Sequence, residues 1–500
     1  MGELRSSLVQ GGIWLTISRL AVNLLSVVST FTLARLLLPE DFGVVANAWT
    51  ILALISSIVD VPVGAALIHI REPTRQHIDT AWTLGVLRGV LIATVLSLVA
   101  VPAAAFFDEP ALQSIILALG LSVLLSCIAS PTRSLVQRGL RFHVEFMIEV
   151  GAKLATVGVS IAIAWVYQSA WALVWGAVAG QVVTVVIGYA MAPYRPHFSL
   201  ACLSELWSFS IWLTLSQSMA TVNWRFDQIL IAKLLGRAEL GIYSVGDNLA
   251  QMPTRETTQP LLKVLFPGFS ALGDSSEKLQ NAYKRAQAML TTLVLPLGVG
   301  VALVADPAIR LGMGEKWLPV VFVVQTLAAI YSLQTLGALA QPLALSQGTT
   351  RTIFTRDVQL CVLRLPMFLS GLLLGGLSGV VIARVGTGLI AILFNMRVVR
   401  SVIGMPLLEQ LHACARPLLS AGIMVLAVLC ARPLWGGSSS MIGLLADIVL
   451  SATTGAIAYG VSLAVLWALN GSPDGAEREA FQMTRTVLNR QRRRYAAFGR

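Results

Sequence analysis

ARLLLPEDFGVV, Ala34 to Val45, returns later in the chain as AKLLGRAELGIY, Ala232 to Tyr243. At a constant offset Ala34/Ala232, Leu36/Leu234, Leu37/Leu235 and Gly43/Gly241 are identical, and Arg35/Lys233, Asp41/Glu239, Phe42/Leu240 and Val44/Ile242 are conservative. Each copy joins the end of one long apolar segment to the start of the next. A tight helix-to-helix turn that recurs in this way implies two similar halves. In the first copy Pro39 is expected to end one helix and Gly43 to permit a close turn, with Arg35 and Asp41 anchoring the turn at a membrane interface.

Composition sets the solvent. Of the 500 residues 56% are hydrophobic and 12% charged, and the mean hydropathy is +0.76. A water-soluble chain could not bury so much apolar surface. Apolar runs near the length of a bilayer crossing fill most of the sequence, and stretches such as Leu91 to Ala105 do not alternate as barrel strands do. The fold class is therefore all-α, a polytopic membrane protein. Runs of about twenty apolar residues place spans near 12–36, 42–66, 79–105, 111–131, 146–167 and 171–191, then 204–235, 240–268, 286–308, 318–345, 356–376, 379–399, 415–434 and 442–469. That is about fourteen transmembrane helices in two pseudo-symmetric bundles. The expected division is 1–200 and 201–400 for the bundles, 401–470 for two additional helices and 471–500 for a basic tail.

The first apolar run is too long for a cleaved signal sequence and carries Arg19 at its middle. With the N-terminus inside, the inner connections hold Arg71, Arg75, Arg133, Arg138, Arg141, Arg195, Lys278, Lys284, Arg285, Arg351, Arg356 and Arg400, whereas the outer ones hold few cations. This imbalance puts both termini in the cytoplasm and accounts for most of the net charge of +11 without any nucleic acid. The tail, with Arg490, Arg492, Arg493 and Arg494, reads as a topology anchor able to rest on anionic headgroups. The outer turn Phe106-Phe107-Asp108-Glu109-Pro110 is acidic.

Nothing in the chain resembles a catalytic constellation. The five histidines form no HExxH, no GxSxG or GxxxxGK[ST] occurs, and the five cysteines lack metal-ligand spacing. The expectation is a protein that is not an enzyme and needs no cofactor or metal.

The informative residues are polar groups at membrane depth, each costly unless it faces protein or water. Thr16, Arg19, Asn23, Ser26 and Thr30 share one face of the first span. Asn47, Thr50, Ser57 and Asp60 form a looser stripe on the second. Thr214, Gln217, Thr221, Arg225 and Gln228 mark the seventh span, and Asp247, Gln251, Thr254, Arg255 and Thr258 the eighth. These are the helices that flank the duplicated turn, so their stripes are expected to line a hydrophilic central cavity. Ser and Thr on such faces serve equally well as hydrogen-bonding glue between helices. Arg19, Arg225 and Arg255 are different, because guanidinium groups there need anionic partners, which Asp227, Asp247 and Glu256 could in part supply. Arg88, Lys153, Arg364 and Arg384 are further cations within spans, where snorkelling competes with a cavity position. Pro253 and Pro260 are expected to break or bend the eighth span.

The turn ARLLLPEDFGVV with the following AALIHIREPT, then DQILIAKLLGRAELGIY, KVLFPGFSAL and LPLGVGVALVADPAIRLGMGEKW, together resemble the polysaccharide transporter family. Its members are flippases for lipid-linked oligosaccharides within the multidrug/oligosaccharidyl-lipid/polysaccharide exporter superfamily. The resemblance runs from about Leu8 to Met396. It implies two bundles around a central cavity that opens alternately to either side, lined by the first, second, seventh and eighth spans. It also implies an undecaprenyl-pyrophosphate-linked repeat unit as substrate, moved from the cytoplasmic to the periplasmic leaflet of a bacterial inner membrane for exopolysaccharide, capsule or O-antigen. Membrane lipids, and a polysaccharide polymerase or chain-length and export machinery, are the partners it suggests. Arg19, Asn23, Gln217, Arg225, Gln251 and Arg255 form the candidate substrate-binding set. Asp60, Asp247 and Glu256 are candidates for an ion-coupling site. A multidrug or cation antiporter and a peptidoglycan precursor flippase are rivals from the same superfamily. A membrane polymerase or ligase is the rival of another class, and the chain lacks the large outer loop expected of one.

Overall fold

In hydrocarbon every backbone N–H and C=O must be satisfied within the protein, and a chain this apolar meets that demand by folding into helices. A computed structural model of the chain describes residues 2–59, 74–133, 142–203, 211–273, 276–436 and 440–470. Side chains are described from residue 18 onward, apart from 142, 211–217, 263, 264, 266, 267 and 350. Asp60, the side chain of Gln217 and the arginine-rich tail lie outside the described residues.

The elements are α1 (Gly2–Leu36), α2 (Pro39–Val59), α3 (Arg75–Phe106), α4 (Pro110–Ile128), α5 (Phe142–Tyr167), α6 (Trp171–Met191), α7 (Ile211–Leu234) and α8 (Arg237–Ala271). They are followed by α9 (Ser276–Gly312), α10 (Leu318–Gln334), α11 (Ala340–Ser346), α12 (Thr350–Ile403), α13 (Leu407–Ala413), α14 (Ala415–Ala431) and α15 (Met441–Leu469). No strand occurs among the described residues. Among the described residues eleven segments are long and apolar enough to cross a membrane, which makes this a multi-pass membrane protein. Helices α7 and α8 reach 24 and 35 residues, but their polar stripes dilute their hydropathy and neither is among the eleven. Helix α8 runs through both Pro253 and Pro260.

As one straight rod the 54 residues of α12 would reach about 80 Å, far beyond a hydrocarbon core of about 30 Å. Gly376 interrupts it at φ 57°, ψ −134°, a conformation open to glycine and strained for other residues. A Cβ on Gly379 would lie 1.8 Å from the Gly371 carbonyl oxygen, so the two arms fold back on each other with backbones in contact. This is the helix pair that the apolar runs at 356–376 and 379–399 predict.

Packing divides the chain into two compact units, Met1–Val245 with Gly312–Trp317, and Gly246–Leu311 with Leu318–Arg500. In the first unit Val44, Ala48, Leu52, Ile92, Leu96, Leu112, Ile115, Leu119 and Val174 join α2, α3, α4 and α6 in one core. Helix α5 lies against α6 through small residues: a Cβ on Gly176 or Gly180 would fall 1.8 Å from Ser160 Oγ or 2.1 Å from Thr156 Oγ1. In the second unit Leu279, Tyr283, Leu290, Leu339, Leu343, Val399 and Met405 form the core. There Tyr459 on α15 donates to the Thr292 carbonyl on α9 at 2.9 Å.

Both copies of the duplicated turn belong to the first unit, and they pack on each other. A Cβ on Gly43 would lie 1.8 Å from the Arg237 carbonyl oxygen, and one on Gly241 would lie 1.8 Å from that of Pro39. Gly43 therefore does not shape its own turn as expected; it lies inside α2, and its missing side chain admits the other copy's backbone. Pro39 opens α2 rather than ending α1, a position that suits a residue with no N–H to donate. Asp41 is the anchor of this turn, accepting from Leu38 N at 3.0 Å and from Ala170 N at 3.1 Å. The α1 C-terminus, whose last carbonyls lack helical partners, is capped by the segment Gly312–Trp317. Lys316 Nζ donates to the Arg35 and Leu37 carbonyls at 2.9 and 2.7 Å, and Trp317 Nε1 to Ala34 O at 2.7 Å. Arg35 Nε returns a bond to Gly312 O at 2.9 Å.

Gly43→Ala and Gly241→Ala each force a methyl into a carbonyl oxygen, and overpacking of this kind costs about 1–3 kcal/mol. Both variants are expected to lower the apparent Tm of the purified protein in detergent. Gly188→Ala, where a Cβ meets nothing within 4 Å, is the matched control and is expected to leave it unchanged.

Candidate functional site

The stripe helices of the first unit are α1, α2 and α7. Between α2 and α7 the stripes face each other and close up. Thr50, 0% exposed, donates to Gln228 Oε1 at 2.6 Å, and Arg225 Nη1 donates to the same oxygen at 3.0 Å. Further along α2, Ser218 Oγ donates to the Ser57 carbonyl at 2.5 Å. This part of the pattern is interhelical glue, as Ser, Thr and Gln at membrane depth allow. Arg225 itself is only half-buried and reaches the pair from its edge.

Of the three carboxylates expected to neutralise the arginines, Asp227 and Asp247 are engaged elsewhere. Asp227, 3% exposed, accepts from the Tyr243 hydroxyl and from Gln228 N at 2.9 Å. In the second unit Asp247 takes the Tyr331 hydroxyl at 2.5 Å, with Gln251 Nε2 at 3.0 Å from both of its oxygens. Arg384, 1% exposed, extends this group through its Nε, 3.3 Å from the Tyr331 oxygen. Its guanidinium carbon stands 5.8 Å from the Tyr331 ring centroid and 6.0 Å from that of Phe368. Arg255 is exposed and pairs with its neighbour Glu256 at 3.3 Å.

Arg19 and Asn23 are half-buried on α1. Among the described residues neither Arg19 nor Arg225 meets a carboxylate within 4.0 Å. The structure thus separates three arginines that the sequence pattern treats alike: Arg255 has an acidic partner, Arg19 and Arg225 have none. Gln251 is committed to Asp247. Of the other cations within spans, Arg88 donates to Cys127 Sγ at 3.4 Å, Arg364 is 6% exposed and Lys153 is half-buried.

Where the two turns meet, one ion pair joins them to each other and two join the second copy to the acidic turn after α3. Arg237 holds Glu40 at 2.7 Å and Glu109 at 2.8 Å, and Lys233 holds Asp108 at 2.9 Å. The same region borders an open cleft of about 420 Å³, whose walls include Gly43, Asn47, Phe107, Glu109, Arg237 and Leu240. The residues that sequence patterns did not single out are the partners: Tyr243, Tyr331 and, on α5, Glu149, which accepts from Ser18 Oγ on α1 at 2.7 Å. A signal for the last was present, since Glu145, Glu149 and Lys153 recur every four residues along α5.

The chain matches a family model described as "Polysaccharide biosynthesis protein" over residues 32–322, more than half of its length. It is similar to the lipopolysaccharide biosynthesis protein WzxC of Escherichia coli, with 26% identity over 76% of this chain and 78% of that protein. It also resembles the teichuronic acid biosynthesis protein TuaB of Bacillus subtilis, with 23% identity over 71% of this chain and 75% of that one. Among solved structures the fold matches a lipid II flippase, MurJ, in an inward closed conformation, with a TM-score of 0.70 at 10% identity over 92% of this chain and 99% of that one. It also matches an inward-facing multidrug resistance MATE family transporter, with a TM-score of 0.56 at 13% identity over 78% of this chain and 98% of that one.

Tyr243→Phe removes the hydroxyl that a buried Asp227 accepts, and a carboxylate left short of a partner costs about 1–3 kcal/mol. The variant is expected to unfold at a lower temperature than the parent in detergent. Tyr331→Phe is expected to cost less, because the half-buried Asp247 keeps both contacts to Gln251.

Proposed function

The chain belongs to the polysaccharide biosynthesis protein family, and on that premise we propose that it is a flippase for undecaprenyl-pyrophosphate-linked oligosaccharide repeat units. The observation that carries this reading is that Arg19 and Arg225, both at membrane depth, lack acidic partners among the described residues. Uncompensated guanidinium groups there are expensive, and a function that brings an anion to them explains why they persist. A pyrophosphate suits them, since its oxygens match the planar fork of arginine better than an ammonium point charge. Asn23 adds an amide on the Arg19 face.

In this reading the polyprenyl tail stays in lipid while the headgroup passes through the protein by alternating access. Counting α12 as two crossings and adding α7 and α8 to the apolar segments gives fourteen spans. The charge bias of the connections places both termini in the cytoplasm of a bacterial inner membrane. The packed turns and the Arg237–Glu40–Glu109 ion pairs then lie on the outer side, where they must part for release. With the interior negative, outward movement of about two negative charges is favoured by roughly 4–5 kcal/mol per 100 mV. Asp60, Asp247 and Glu256 stay as candidates for a coupling ion. An antiporter for organic cations would be expected to have an acidic or aromatic cavity, whereas the stripes here carry arginine.

The test is reconstitution in proteoliposomes with a fluorescent undecaprenyl-pyrophosphate-linked oligosaccharide. Translocation is expected, and an interior-negative potential is expected to accelerate it outward. Export of an organic cation with no movement of the lipid would overturn the flippase reading in favour of the antiporter. Arg19→Ala and Arg225→Ala are each expected to slow translocation about tenfold or more, the scale of one lost charge-assisted contact. Arg255→Ala is expected to have a smaller effect, because that guanidinium already holds Glu256.

A further inference from the structure

Ser18 on α1 donates to Glu149 on α5, and further along both helices Leu33 and Leu37 share a core cluster with Ala164. The two helices therefore run parallel. Lys153, four residues beyond Glu149, therefore stands at the level of Val22. At about 1.5 Å of rise per residue it lies between Arg19 and Asn23 along the axis.

Glu149, which reaches Ser18 on α1, and Lys153 lie one turn apart on one flank of α5. Leu154 and Trp165 on the opposite side are 53% and 74% exposed. Lys153 therefore shares the flank from which Glu149 meets α1, and at membrane depth it needs an anion.

No carboxylate among the described residues supplies one. Glu145 is held in a two-pronged pair by Arg133, and Glu149 is turned to Ser18. Among the described residues Lys153 meets no carboxylate within 4.0 Å. Two cations, Arg19 and Lys153, therefore stand at neighbouring levels of one helix pair with no acidic partner, while the carboxylate one turn away is bonded to a serine.

We propose that Lys153, with Arg19 and Asn23, forms an anion subsite on the adjoining faces of α1 and α5 that takes a phosphate group, and that the Ser18–Glu149 hydrogen bond keeps it available by holding Glu149 off Lys153. The subsite rests on the flippase reading for its ligand, the pyrophosphate of a polyprenyl lipid. Ser18 and Glu149 are positioning residues in it. Ser18→Ala frees Glu149 to turn toward the ammonium four residues on and neutralise it.

The experiment measures binding to the full chain in detergent micelles, by the quenching of tryptophan fluorescence, with three probes: undecaprenyl pyrophosphate, inorganic pyrophosphate and uncharged undecaprenol. The parent is expected to bind undecaprenyl pyrophosphate well above undecaprenol. Lys153→Met is expected to weaken that binding at least tenfold, and Lys153→Arg to stay within about threefold of the parent. Ser18→Ala is expected to weaken it severalfold with Lys153 untouched, and the double change Ser18→Ala with Glu149→Gln to restore it, a rescue that loss of packing would not produce. Parent-like binding by Lys153→Met overturns the subsite. Parent-like binding by Ser18→Ala overturns the positioning role. If Lys153→Met unfolds, the charge-retaining Lys153→Arg and the serine pair decide the matter. Lys153-dependent binding of inorganic pyrophosphate without binding of the lipid would keep the subsite and reject its lipid source. Failure of the parent to bind either pyrophosphate removes both the subsite and the reading on which it rests.

Discussion

An ionised side chain in a bilayer has to meet an opposite charge, a set of hydrogen-bonding partners or water, because hydrocarbon offers none of these. That constraint sorts the polar groups of this protein. Asp227 and Asp247 are each met by a tyrosine hydroxyl, Glu145 by Arg133, Glu149 by Ser18 and Glu256 by Arg255. Arg19, Arg225 and Lys153 in the first unit have no such acidic counterpart among the described residues. The imbalance is one of sign, and it is what the proposed anionic headgroup would meet.

A second constraint is steric. Two backbones approach closely only where side chains are absent, and the pair Gly43 and Gly241 meets that need at equivalent positions of a duplicated sequence. The contact is reciprocal because the two copies are equivalent, each glycine receiving a carbonyl of the other turn. Around it lie the Arg237 ion pairs and the Lys316 and Trp317 bonds that finish α1. The motif ending in GMGEKW thus satisfies carbonyls that a helix terminus leaves open, which gives a physical reason for its residues.

The polar stripes serve two purposes that composition alone cannot tell apart. Thr50, Gln228 and Ser218 hold α2 and α7 together. Arg225 shares that network from its half-buried edge and keeps most of its donors. The two roles are linked along one helix face, since the glue that fixes α7 against α2 also fixes where the guanidinium stands.

Solvent, helical class and the approximate places of most long helices were legible in the residues alone. Those properties follow from local hydropathy and from the demand that each backbone group be satisfied nearby. The hairpin within α12 was legible for the same reason, as two apolar runs at 356–376 and 379–399. The duplicated turn was visible as a repeat, although its meaning was not: Gly43 reads as a turn glycine until the second copy is seen pressed against it. Which charges are neutralised was likewise closed to the sequence. Asp227 lies two residues from Arg225 yet bonds Tyr243, and Glu149 lies four residues from Lys153 yet bonds Ser18, 131 positions away. Pairing between ionised groups depends on distances of a few ångströms between helices far apart in the chain, and those distances exist only once the helices are packed.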